Sequence, residues 1–68
     1  NLKKARSLFE IGAKRGDPDA INNLGSCFLN GRGGKKDVRK AIELYRSAAE
    51  LGCDLAKQNL SELEKNSA

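Results

Sequence analysis

Shifted by thirty-six positions, the sequence falls on itself: Ala5 on Ala41, Leu8 on Leu44, Phe9 on Tyr45, Ala13 on Ala49, Gly16 on Gly52, Ala20 on Ala56, Asn23 on Asn59 and Leu24 on Leu60. The matched residues are small or apolar and recur at helical spacing. A period of this length marks helical units that stack because one unit cannot bury its apolar face alone. A chain of 68 residues is short for an independent core, since domains of this size hide only about 60% of their extended-chain surface. Stacking on further units is the expected source of stability. The chain opens on Asn1, and its first nine residues match the middle of the repeat, which predicts a piece of a longer array.

Four amphipathic segments follow from the spacing. Leu2, Ala5, Leu8, Phe9 and Ala13 lie at i, i+3, i+6, i+7 and i+11 on one stripe of a helix that stops at Gly16. Asp17 can cap the next helix, with Pro18 in its first turn, where a missing N–H costs nothing. Its buried stripe is Ala20, Ile21, Leu24 and Phe28. The run Asn30-Gly31-Arg32-Gly33-Gly34 breaks that helix, its glycines giving access to positive φ. Asp37 caps a third helix carrying Val38, Ala41, Ile42, Tyr45, Ala48 and Ala49, and Gly52 ends it as Gly16 ends the first. A fourth runs from about Asp54 to Lys65. The expected fold class is all-α, an α-solenoid of antiparallel helix pairs. Leu24, Phe28, Ala41, Tyr45 and Ala49 should be buried, and Gly25 should meet the small Ala48-Ala49 face where two helices cross.

The stretch from Ala20 to Gly52 resembles a unit of the Sel-1-like repeat family, relatives of the tetratricopeptide repeats. The residues that carry the resemblance are Ala20, Leu24-Gly25, Phe28, Gly31 and Gly33, Asp37, Lys40-Ala41, Tyr45, Ala48-Ala49 and Gly52. In this register residues 1–16 hold the second helix of a preceding unit, 17–52 a complete unit, and 53–68 the first helix of a following unit or a C-terminal cap. Ser61 and Glu64 stand where Gly25 and Phe28 would recur, which favours the cap. Gly12 and Arg6 depart in the first helix, standing where Ala48 and Ile42 stand later.

The net charge is +4, with the basic excess in the first two-thirds of the chain. Such a skew can mark a nucleic-acid or acidic-partner surface. Aromatic residues for base stacking are scarce, so nucleic acid is the lesser expectation. The run Gly31 to Lys36 invites a phosphate-loop reading, but no buried strand precedes it and no Ser or Thr follows a Gly-Lys pair. No apolar run approaches the roughly 18 residues needed to span a bilayer. With no His and two Cys, the chain offers no four-ligand zinc set of the usual kind. Cys27 lies late in one helix and Cys53 early in its counterpart, roughly 15 Å apart along the axis at about 1.5 Å per residue. Two free thiols are expected, which favours a reducing compartment. Ser7, Ser26, Ser47, Ser61 and Ser67 lack a histidine partner, so no nucleophile with its base emerges and neither catalysis nor a cofactor is expected.

The resemblance implies a protein-binding scaffold, or a purely structural segment of a larger solenoid; in such scaffolds the first helices of successive units line a concave groove. Transferred one at a time, its positions are Asp19, Asn22, Asn23, Ser26 and Asn30 in the complete unit and Gln58, Asn59 and Glu62 in the last helix. Their amides and hydroxyls can donate to and accept from an extended peptide backbone or a terminal carboxylate.

Overall fold

The computed structural model describes residues 1–66. The expected assignment of 53–68 to the last segment also includes Ser67 and Ala68, which lie outside the described residues. Four helices of 13 residues each occupy the chain: α1 (Leu2–Lys14), α2 (Pro18–Asn30), α3 (Val38–Glu50) and α4 (Asp54–Asn66). Each packs on the next in sequence, and the contact between α2 and α3 is the most extensive. The backbone measures 33 × 23 × 14 Å, and its short dimension is that of two helix layers, about 8–10 Å between axes plus roughly 2.3 Å of Cα radius on either side. Every helix therefore keeps one long side in solvent.

Local sequence sets the helix ends. Asn1 caps α1 through its side-chain oxygen, which accepts from the backbone N–H groups of Lys3 and Lys4. Asp17 accepts from Asp19 N at 3.0 Å, with Pro18 at the first helical position, and Asp37 accepts from Lys40 N at 3.1 Å. Each satisfies N–H groups that have no partner within the helix. Thirty-six residues separate Asn1 from Asp37, so a cap recurs with the repeat. The stops recur too: Gly16 and Gly52 have φ of 81° and 95°. The two C-termini close alike, with Asp17 N donating to Gly12 O and Cys53 N to Ala48 O, while each glycine N–H bonds the carbonyl three residues back.

The core is built from small residues around one large one. Ala41, Ala48 and Ala56 are fully buried, and Tyr45 is the one large side chain among the described residues with less than 2% exposure. Ile21 and Cys53 complete this cluster, with Leu44, Leu60 and Leu63 packed half-buried against it. Of the expected core, Leu24, Ala41 and Tyr45 are buried, whereas Phe28 and Ala49 are only partly covered, Phe28 because it lines an open recess with Lys40 and Leu44. Leu2 and Leu8, on the expected stripe of α1, are exposed. The reason is topological, since α2 packs extensively on both α1 and α3 and α3 on both α2 and α4, while α1 packs extensively on α2 alone.

Gly25 does sit at a helix crossing, but its neighbour differs from the Ala48-Ala49 face expected of it. A Cβ on Gly25 would stand 3.0 Å from both Cδ1 and Cε1 of Tyr45 and 3.4 Å from the Ala41 carbonyl oxygen. The Cδ1–Cε1 side of the tyrosine ring occupies the space where the glycine has no side chain, and α2 thereby comes close to the backbone of α3.

Arg6 departs furthest from its expected role. It is buried, with its guanidinium carbon 3.9 Å from the centroid of the Phe28 ring. Nη1 donates to Arg32 O at 3.1 Å and to Lys35 O at 3.3 Å, and Nη2 to Lys35 O at 3.2 Å. The planar fork thus ties the α2–α3 turn to α1. Gly33, at φ 72°, and Gly34 admit this: a Cβ on Gly33 would collide with the Leu2 carbonyl, and one on Gly34 would stand 2.7 Å from Nη1 of Arg6. Gly34, which has no positive φ, leaves the space that the Arg6 guanidinium occupies.

Two outcomes are expected. Gly25→Leu should overpack the Tyr45 ring and destabilise the chain by about 1–3 kcal/mol, read as a lowered midpoint in a thermal melt. Arg6→Met should keep some packing on Phe28 but lose the charged donors, costing about 1–3 kcal/mol. Amide hydrogen exchange in the 31–37 turn should accelerate in that variant before exchange in α3 does.

Candidate interaction surface

Two contacts fix how α2 and α4 run. Cys53 Sγ, just ahead of α4, lies 4.0 Å from Asp19 Oδ1 in the first turn of α2, and farther along Asn59 Nδ2 donates to Asn22 Oδ1 at 3.0 Å. Both contacts advance in the same direction, so the helices are parallel and thirty-six residues apart in sequence. On α2, Asp19, Asn22, Asn23, Ser26 and Asn30 fall at i, i+3, i+4, i+7 and i+11, one face of the helix.

The eight expected groove residues divide between two roles. Asn22 is 6% exposed, and its bond with Asn59 joins the two helices across their shared edge. Ser26 is half-buried and shares a 2.8 Å hydrogen bond with the Tyr45 hydroxyl, satisfying the polar end of the core aromatic. Asn30 folds back, its Nδ2 donating to Ser26 O at 3.1 Å. Asp19, Asn23, Asn30, Gln58 and Glu62 are exposed. The polar face is thus an outer row of exposed groups over an inner row already bonded within the protein.

A recess of about 200 Å³ opens beside this face, between α1 and α2. Leu2, Ala5 and Phe9 form one wall, and Asn23, Cys27 and Arg32 are among the residues opposite. The internal repeat was its available signal, because Ala5 and Phe9 stand in register with the buried Ala41 and Tyr45. Arg6 had no such signal. Its partners are backbone carbonyls, which leave no trace in residue identity.

The basic residues gather elsewhere. Close packing of Gly33 on the Leu2 carbonyl brings the start of α1, with exposed Lys3 and Lys4, against the 31–36 turn, which carries exposed Arg32, Lys35 and Lys36; exposed Arg39 and Lys40 follow in the first turn of α3. Cys27 and Cys53 are both buried free thiols. Among the described residues no three metal-binding side chains come together, and no helix is long and apolar enough to cross a membrane.

The Sel1 repeat profile matches residues 1–17 and 18–53. A component of an ERAD-associated E3 ubiquitin-protein ligase, HRD3B of Arabidopsis thaliana, is 51% identical over 41 residues, covering 60% of this chain and 7% of that protein. Chitin synthase regulatory factor 3 of Schizosaccharomyces pombe is 35% identical over 51 residues, 75% of this chain and 6% of its own length. DAP3-binding cell death enhancer 1 of Mus musculus is 43% identical over 61 residues, 90% of this chain and 12% of that protein. The chain thus spans between 6% and 12% of the length of these longer relatives. No solved structure matches it. Matched by that profile over both stretches, and folded as sequentially packed helices with caps and glycine stops in register, the chain belongs to the Sel1 repeat family.

Proposed function

We propose that this segment is a protein-interaction scaffold whose polar α2–α4 face binds an extended stretch of a partner polypeptide. In this reading residues 17–52 are one complete unit, preceded by a second helix and followed by a first helix or cap. The observation that carries it is the Asn59–Asn22 hydrogen bond, which holds the polar faces of two parallel helices side by side as one surface. The inner row, Asn22, Asn59 and Ser26, keeps the surface rigid. The outer row is Asp19, Asn23, Asn30, Gln58 and Glu62, of which Asn23, Asn30 and Gln58 meet the partner through amides that can both donate and accept. Asp19 and Glu62 add negative charge, which favours a peptide carrying Lys or Arg over one presenting a terminal carboxylate.

A second reading, an acidic partner or nucleic acid on the basic residues, draws support from the Gly33–Leu2 packing, which brings Lys3 and Lys4 at the start of α1 towards the basic 31–36 turn. The two separate experimentally with peptides selected from a displayed random library on the chain. Asn23→Ala and Gln58→Ala should each weaken a groove peptide by about 0.5–1.5 kcal/mol, roughly two- to tenfold in Kd by isothermal titration. Lys35→Glu with Lys36→Glu and Lys40→Glu should change mainly the association rate and its salt dependence. Loss of binding on charge reversal, with the amide variants silent, would transfer the function to the basic residues, and a steep salt dependence would then point to nucleic acid.

A further inference from the structure

The side of α2 away from the polar row borders a second recess, of about 290 Å³, with α1 on one flank and α3 on the other. Its apolar lining is Ala13, Leu24, Phe28 and Leu44. Leu24 and Phe28 lie one turn apart on α2, opposite Asn22, Asn23 and Ser26. Arg6 holds the Phe28 ring in place: its guanidinium carbon stands over the ring, 3.9 Å from the centroid, and its fork is itself fixed by the Arg32 and Lys35 carbonyls. This part of the wall is therefore set before anything binds, which lowers the ordering cost of binding. The volume falls at the small end of the roughly 300–1,000 Å³ range of ligand pockets, and it suits one bulky side chain, not a whole cofactor.

The rim supplies charge. Lys14, at the end of α1, and Lys40, in the first turn of α3, border the recess from its two flanks, and neither ammonium group has an ion pair among the described residues. Glu10, one turn before Lys14, is the acidic member of this rim and leaves it net positive. An apolar floor under two unpaired cations is complementary to a ligand that carries carboxylates beside an apolar group. We propose that this recess is a second docking site, one that takes a bulky apolar side chain of a partner polypeptide flanked by Asp or Glu. The apolar side chain leaves water against Phe28 and Leu44, and the flanking carboxylates meet Lys14 and Lys40. The site lies on the opposite side of α2 from the polar row, so occupation of one leaves the other open.

The probe is a blocked peptide with tryptophan at its centre and two glutamates on either side, titrated into the isotope-labelled chain and followed by NMR. The signals of Ala13, Leu24 and Leu44 should shift. Alanine in place of the tryptophan should weaken the peptide at least about tenfold, since most of the buried apolar area is lost. Lys14→Glu with Lys40→Glu should weaken it at least about threefold, and Glu10→Lys should tighten it about two- to fivefold, the range that exposed ion pairs supply. Arg46→Glu with Lys65→Glu makes the same change of net charge away from the recess and should leave Kd within about twofold at physiological salt. All of these side chains are exposed, so their exchange leaves the fold intact. Unmoved Ala13, Leu24 and Leu44 signals at millimolar peptide would overturn the proposal, as would equal weakening by the remote charge reversals. Binding lost on Asn23→Ala with Gln58→Ala would also overturn it, by placing the peptide on the polar α2–α4 face.

Discussion

The close approach of α2 to α3 over the Tyr45 ring governs this structure. Tyr45 is the one large side chain fully buried among the described residues, and the rest of the innermost core is Ala41, Ala48 and Ala56. Small side chains contribute little apolar area each, at about 25 cal/mol per Å² buried, so the helices must come near enough for backbone and ring atoms to supply dispersion contacts. Gly25 makes that possible, because any side chain there would meet Tyr45 at once. The thinness of the molecule follows from the same construction, in which each helix is covered only by its neighbours and the outer sides stay in water.

Polar contacts do the fastening that a larger hydrophobic core would otherwise perform. Arg6 links α1 to the carbonyls of the α2–α3 turn, Ser26 satisfies the Tyr45 hydroxyl, and Asn59 bridges to Asn22 across parallel helices. Each contact is directional and positions one element against another, where apolar packing alone would allow sliding. The candidate binding face inherits that rigidity. Its exposed amides project from helices whose spacing is set by the bonded row beneath, so a partner would meet an ordered surface and incur little of the ordering cost that weakens binding to flexible ones.

Departures from the repeat are where chemistry unique to this chain concentrates. Arg6 replaces an apolar residue and becomes an anchor for the glycine turn; Phe9 replaces tyrosine and leaves a wall with no polar end to satisfy. Gly12 replaces alanine, and a Cβ there would come within 2.6 Å of the Ala20 Cβ, so α1 and α2 approach more closely than a side chain would allow. Consecutive units with one pattern thus use different contacts at equivalent positions.

Periodicity, caps and glycine stops were legible in the sequence because they are local: Asp17, Asp37, Gly16 and Gly52 act on backbone within a few residues of themselves, and the thirty-six-residue register locates the helices between them. The family and the all-α class follow from that register. The groove positions were legible only as a face of α2 and α4, since helical spacing gives direction but not neighbours. Which of them are already engaged, Asn22 with Asn59 and Ser26 with Tyr45, depends on how four helices cross. The same holds for the burial of Arg6, the exposure of Leu2 and Leu8, and the Tyr45 ring on Gly25. Those outcomes were decided by tertiary structure, because they rest on which surfaces lie within 4 Å of one another, and residues far apart in sequence carry no local signal of that distance.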